Sequence, residues 1–118
     1  MLYEEIRVMT RSEIEAHFQT GPPEQVARAL ISAALYDEDF DWVQQQCLAF
    51  LTGPDLRLRG TALVGLGHLA RLHGRIDQVA LDRLEEAERD PALEGLVSDV
   101  RDDIEIFITR KQKRQSPP

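Results

Sequence analysis

The apolar residues of this chain recur every three or four positions along almost its whole length. This spacing is that of α-helices with one buried face. Glycine, proline and aspartate residues interrupt it, and they predict a first helix from Arg11 to just before Gly21, a second ending near Tyr36, and a last one from Pro91 to about Thr109. No segment alternates like a β-strand and no hairpin turn is present. We therefore predict an all-α protein of five or six helices.

Two of the predicted helices carry residues that are typical of helix starts. Thr10 is followed three residues later by Glu13, which is the spacing of a capping box. Asp90 can cap the last helix, with Pro91 at its first position. We expect this last helix to bury a stripe made of Leu93, Val97, Val100, Ile104 and Phe107.

Four glycines lie in the stretch 54–77, PDLRLRGTALVGLGHLARLHGRID. A phosphate-binding loop would need a β-strand before the glycines, and the Walker form would need Gly-Lys-Ser/Thr; neither is present. A helix fits better, because its apolar side chains cover an arc of about 200°, wider than the stripe of a surface helix. We predict a helix packed on two sides, with Gly60 and Gly67 facing a close neighbour and Gly74 ending it. Its exposed cationic face would carry Arg57, Thr61, Val64, His68, Arg71 and Arg75.

Part of the chain resembles a helical repeat. The sequence TGPDLRLRGTALVGLGHL resembles the second helix of a HEAT-type repeat, and DWVQQQCLAFL before it resembles the first. A further helix–turn–helix follows, and Pro54 and Pro91 are 37 residues apart, near the HEAT period of about 40. Residues 11–36 would form a degenerate first pair. The resemblance implies a short, right-handed HEAT-like stack of antiparallel helices, an α-α superhelix.

The length of the chain predicts its number of domains, and its charge indicates which kinds of partner it can bind. It has 118 residues, the length of one domain, and we expect a single helical domain over 1–110 and a basic, disordered tail at 111–118. The formal net charge is −7 although the tail carries three cations. Such an acidic domain repels nucleic acid and favours a cationic partner. No apolar run is long enough for a membrane span and no secretory signal is recognisable, so we expect no membrane contact and a cytoplasmic protein.

Patterns typical of catalytic and metal sites are missing from the sequence. His68 and His73 are five residues apart, not four as on the HExxH face, and no acid lies between them. Cys47 shares the apolar arc of its helix, which predicts a buried structural thiol. No serine lies in a Gly-x-Ser-x-Gly sequence. We therefore expect no enzyme, no cofactor and no metal.

The last helix carries the first candidate partner-binding surface. Asp99, Asp102 and Asp103 lie beside its predicted buried stripe, with Ile106 among them. Acids clustered on one flank repel one another, and a cationic partner would relieve that repulsion. The alternative is that these aspartates pair with the cationic face of the glycine-rich helix.

The second candidate surface surrounds the single tryptophan. Trp42 lies off the main apolar arc of its helix, and Asp37, Asp39 and Asp41 precede it. An exposed tryptophan is a frequent anchor of protein interfaces. The alternative is that Trp42 packs against the preceding helix.

Three stretches together resemble small bacterial immunity proteins, which protect cells against contact-dependent or other polymorphic toxins: DFDWVQQQCLAFL, LRGTALVGLGHLARLHGRID and VRDDIEIF. The resemblance implies a chain that binds and neutralises a cognate toxin domain without chemistry of its own. The acidic charge would suit a basic, nuclease-type toxin. The alternative function is a HEAT-type adaptor or scaffold in another bacterial complex, and a toxin reading frame ending just upstream would distinguish the two.

Overall fold

The computed structural model describes residues 6–108, and within them the chain forms α-helices and no β-strand. The all-α prediction is therefore confirmed. The predicted tail at 111–118 lies outside the described residues. The helices are α1 Arg11–Thr20, α2 Pro23–Tyr36, α3 Phe40–Leu51, α4 Leu56–His73, α5 Gln78–Ala87 and α6 Glu94–Asp103, which continues as a π-helical segment, Ile104–Ile108.

Side chains next to the helices set several of the helix ends. The hydroxyl of Thr10 accepts from the backbone N–H of Glu13, and the Glu13 carboxylate accepts from the Thr10 backbone N–H, both at 3.1 Å. The predicted capping box is therefore present. Asp55 caps α4 by accepting from two backbone N–H groups. Gly74 ends α4 with φ of 64°, a left-handed conformation that glycine adopts without steric cost.

The last helix begins later than predicted, at Glu94 instead of Pro91. The Asp90 carboxylate accepts from the backbone N–H of Ala92 at 2.9 Å, and the Asp90 carbonyl accepts from Leu93. These bonds form a turn that buries Leu93 before the helix starts. The assignment of Asp90 as the N-cap of a helix starting at Pro91 was therefore wrong.

The buried stripe of α6 is shorter than predicted. Leu93, Val97 and Val100 are buried, as expected, but Ile104 and Phe107 are only half-buried. The helix changes at Ile104 from α to π. A π turn contains more residues than an α turn, so it rotates the following side chains away from the face that α-helical spacing assigns to them.

The helices pack in two layers. Helices α2, α4 and α6 lie side by side in one layer, while α1, α3 and α5 lie in the other, with α1 against α2 and α3 against α4. Helix α4 contacts α2, α3 and α6 and so occupies the centre of the fold. Stacked helix pairs would produce this order of contacts. The assignment to the HEAT class, with its right-handed superhelix, stays a prediction.

The glycines of α4 allow this central packing. A Cβ atom on Gly60 would lie 3.2 Å from Leu96 Cδ1, and one on Gly67 would lie 2.8 Å from Asp103 Oδ2. Both glycines thus face α6, which agrees with the prediction that they admit a close neighbour. Gly65 faces the other side of α4, where a Cβ would lie 2.9 Å from Cys47 Sγ.

The face of α4 that was expected to be exposed is partly covered. Thr61 is buried, and its hydroxyl donates to the Arg57 carbonyl at 3.1 Å. Val64 and His68 are half-buried, and only Arg57, Arg71 and Arg75 of the predicted set are exposed. The reason is that α2 and α6 flank α4 on both sides.

An extended segment before α1 covers part of α2. The Ser32 hydroxyl donates to the Arg7 carbonyl at 2.8 Å, and the Tyr36 hydroxyl donates to the Ile6 carbonyl at 3.4 Å. Ile6 and Ile31 are both buried. This cover explains how α2 carries buried residues on most of its surface.

Replacing Gly65 with alanine tests the packing around α4. The added methyl group would meet Cys47, which is fully buried among other side chains and cannot easily move. We expect Gly65→Ala to lower the free energy of unfolding by about 1 kcal/mol or more, because overpacking outweighs the gain in helix propensity. Urea denaturation measures the change.

Gly95→Ala is the matched control, because a Cβ at that position in α6 would have no atom within 4 Å. We expect this change to leave stability unaltered or to raise it by up to about 1 kcal/mol. Equal effects of the two substitutions would show that α4 has free space beside Gly65.

The Cys47 thiol offers a second test of the core. Its burial raises the pKa of the thiol to about 12, and only a thiolate attacks disulfide reagents. We expect no reaction with an aromatic disulfide reagent in the native protein at pH 8 and complete reaction in urea. Native-state reaction at the rate of free cysteine would contradict the buried position.

Candidate partner-binding site

The first candidate surface, here called the α6 flank, consists of Asp99, Asp102, Asp103 and Ile106. Asp99, Asp102 and Asp103 lie on α6, and Ile106 lies in the π-helical segment that continues it. Asp99 and Asp102 are exposed, Asp103 is half-buried against α4, and the Ile106 side chain is 42% exposed. Protein interfaces place apolar side chains in their core and polar or charged groups at their rim.

The carboxylates of the α6 flank form no ion pair or hydrogen bond within residues 6–108. The arginines expected to neutralise them are not paired with them. Arg75 pairs with Asp41 at 3.1 Å and with Asp77 at 3.3 Å, and Arg71 lies 3.0 Å from His68 Nδ1. In the described part of the chain, internal pairing with α4 therefore does not neutralise this flank.

A groove of about 210 Å³ separates the α6 flank from α4. Its buried lining residues are apolar, and its polar lining residues are half-buried or exposed. The apolar part consists of Leu63, Val64, Gly67, Leu96 and Val100, and the polar part consists of His68, Arg71, Asp99 and Asp103. Burial and the nearby Arg71 charge lower the pKa of His68 from its usual 6.5, while Asp103 opposes them. His68 is therefore uncharged near pH 7.

The second candidate surface, here called the α2–α3 corner, consists of Asp37, Asp39, Asp41 and Trp42. Arg11 of α1 reaches across it. Its guanidinium is 3.2 Å from Asp37 Oδ1 and 3.3 Å from Asp39 Oδ2, and it lies 4.1 Å from the centre of the Trp42 ring. Arg11 thus offsets two of the three carboxylates and shields the tryptophan.

Local bonds account for the rest of the corner. The Asp39 carboxylate accepts from the Trp42 backbone N–H, and this bond, together with Arg11, lowers the pKa of Asp39. Asp41 pairs with Arg75. Trp42 is half-buried and packs against the core, and the alternative that it packs against the preceding helix stays a prediction. The two surfaces therefore differ, since described cations pair with the corner and not with the α6 flank.

A larger cleft of about 370 Å³ lies between the segment before α1 and helices α1 and α2. Its polar lining includes Arg7, His17, Glu24 and Arg28, so it mixes both signs of charge. Arg7 also pairs with Glu13 at 2.7 Å. The charges that line this cleft therefore do not favour a partner of one sign over the other.

The described residues contain no group of three His, Cys, Asp or Glu side chains placed to hold a metal ion. Nor is any helix in that part of the chain both long and apolar enough to cross a bilayer.

Comparison with solved structures relates the chain to a known system. A chain in the crystal structure of a CDI complex from Cupriavidus taiwanensis LMG 19424 is 32% identical, and the two structures superpose with a TM-score of 0.76. The alignment covers 91% of this chain and 97% of that chain. This chain belongs to the family of that CDI-complex chain. The sequence resemblance to proteins of contact-dependent growth inhibition (CDI) is thereby confirmed.

The family assignment rests on the solved structure. No protein-family model matches the chain, and neither does any curated protein sequence. The shared fold extends over nearly the whole CDI-complex chain, so the described helices correspond to that whole chain and not to a part of it.

Sequence reasoning missed the residues that complete each surface. Arg11 shields Trp42 across 31 positions of sequence, and no local pattern indicates such a contact. Leu96 and His68 line the groove because α6 lies directly against α4. In the sequence, the glycine pair of α4 predicts that another helix packs closely against it. It does not indicate which helix this is.

Replacing Arg11 with alanine tests the shielding of Trp42. The substitution removes the cation and its aliphatic stem from the face of the ring. Because Trp42 is the single tryptophan, its fluorescence quenching by acrylamide reports on this site alone. We expect stronger quenching in Arg11→Ala. The control is Arg101→Ala, which breaks an exposed pair with Glu88 and should leave quenching unchanged; equal quenching in all three proteins would contradict the shielding.

Proposed function

We propose that this chain is an immunity protein that binds and neutralises a cognate toxin domain. The observation that carries the proposal is the α6 flank, whose carboxylates have no ion-pair partner among residues 6–108. The family supports the same function, because the related chain comes from a CDI complex. The toxin would supply the missing positive charge.

The proposed mechanism is steric and electrostatic. The chain would occupy the toxin's active site or substrate path and perform no reaction of its own. A toxin that acts on RNA or DNA carries a basic surface for its substrate, and an acidic protein can occupy that surface in the substrate's place. We therefore propose a basic, nuclease-type toxin as the partner, bound in the cytoplasm.

The α6 flank takes precedence over the α2–α3 corner in this proposal. Arg11 and Arg75 already pair with the carboxylates of the corner, so a partner would have to displace them. Within residues 6–108, no cation forms an ion pair with the carboxylates of the flank. We propose the corner, with Trp42, only as the edge of a larger interface.

Charge reversal on the flank tests this function. We expect Asp99→Lys combined with Asp102→Lys to slow association with the proposed cognate toxin domain by about tenfold or more at low salt. The difference should shrink at 0.5 M salt, where the Debye length is about 4 Å. Surface plasmon resonance at two salt concentrations measures both rates, and melting curves verify folding.

The matched control is Asp82→Lys combined with Glu85→Lys on α5. These two exposed acids have the same three-residue spacing, and the double change alters the net charge equally. We expect a much smaller effect, because α5 lies in the other layer. If both double substitutions slowed association equally, net charge alone would determine the association rate. Binding of the flank variant at wild-type rates would remove the α6 flank from the proposed interface, and no binding by the wild-type chain would favour the adaptor function.

A further inference from the structure

The groove between α4 and α6 has the composition of a pocket for a long cationic side chain. Its lining combines apolar side chains, Leu96 and Val100 from α6 and Leu63 from α4, with two carboxylates, Asp99 and Asp103. They are four residues apart on one helix, so they lie on the same face within reach of a single group. The volume of about 210 Å³ exceeds by far the roughly 30 Å³ that one water occupies.

Among the described residues, no cation forms an ion pair with these two carboxylates. Arg71 also lines the groove, but its guanidinium is bound to His68 Nδ1 at 3.0 Å and makes no ion pair with Asp99 or Asp103. His68 carries no charge near pH 7, because burial and Arg71 lower its pKa. A cation from outside would therefore meet net negative charge at the groove.

Gly67 shapes the groove and positions one of the carboxylates. A Cβ at this position would lie 2.8 Å from Asp103 Oδ2 and 3.9 Å from Val100 Cγ2. Any larger residue would push the carboxylate away and narrow the groove. The glycine thus allows Asp103 to lie against α4 instead of extending into solvent.

We propose that this groove receives an arginine side chain of the toxin. Its aliphatic stem would lie over Leu96 and Val100, and its guanidinium would bind Asp99 and Asp103. Arginine fits better than lysine, because a planar guanidinium offers several donors to two carboxylates and is less strongly hydrated. This inference rests on the proposed function and identifies the chemistry of the toxin group at the same site.

Asp103→Asn tests the groove with little change in shape. We expect about tenfold weaker binding of the proposed cognate toxin domain, mostly through faster dissociation, because a partly buried charge pair is lost. The control is Glu85→Gln, which removes an exposed, unpaired carboxylate from α5. It should change the affinity less than about twofold. Surface plasmon resonance gives both rates.

Gly67→Ala provides a second variant, with Gly95→Ala as its control. The first adds a methyl group against Asp103, and the second adds one where no atom lies within 4 Å. We expect only Gly67→Ala to speed dissociation. Melting curves show whether each variant is folded at the temperature of the binding measurement.

Double-mutant cycles then identify the occupant. Each toxin arginine is replaced by glutamine and measured against both wild-type chain and Asp103→Asn. We expect one arginine to couple to Asp103 by about tenfold or more. If the toxin binds and no arginine couples, the groove proposal is overturned while the immunity function stands. If the wild-type toxin domain does not bind at all, both are overturned.

Discussion

The close packing of α4 against α2, α3 and α6 is the constraint on which the rest of this structure depends. A helix in the centre of two layers must present small residues wherever its neighbours approach. Gly65 does so towards Cys47, and Gly60 and Gly67 do so towards α6. Each glycine costs helix propensity of about 1 kcal/mol, and the packing that it permits offsets this cost. The same glycines that suggest a phosphate loop in the sequence are thus packing residues.

The position of α6 follows from that constraint and produces the candidate site. Because α6 lies against the glycines, Asp103 comes to rest beside α4 and a groove opens between the two helices. The remaining acids of the α6 flank face outward without partners among the described residues. At the α2–α3 corner, in contrast, Arg11 and Arg75 bind the acids. Two acidic clusters that look alike in sequence therefore present different surfaces to a partner.

Local patterns predicted much of the fold, and long-range contacts account for the errors. The Thr10 capping box and the end of α4 at Gly74 depend on neighbouring residues, and both were predicted correctly. The start of α6 was wrong, because the burial of Leu93 in a turn depends on tertiary packing. The four residues of the flank were proposed from helical spacing and stay a prediction as a binding site. That the described residues form no ion pair with its carboxylates could be seen only from the positions of Arg71 and Arg75 in the structure. Helical spacing could not predict that the Arg11 guanidinium lies over the Trp42 ring, since the two residues belong to different helices.

The family relation supports the proposed function, because the related chain belongs to a CDI complex and shares the fold over nearly its whole length. Neutralisation of a toxin is the central proposal, and growth of cells that express the proposed cognate toxin domain tests it most directly. Co-expression of this chain should restore growth to the rate of cells without toxin. Continued growth arrest, with both proteins present at comparable levels in the cell, would contradict the proposal.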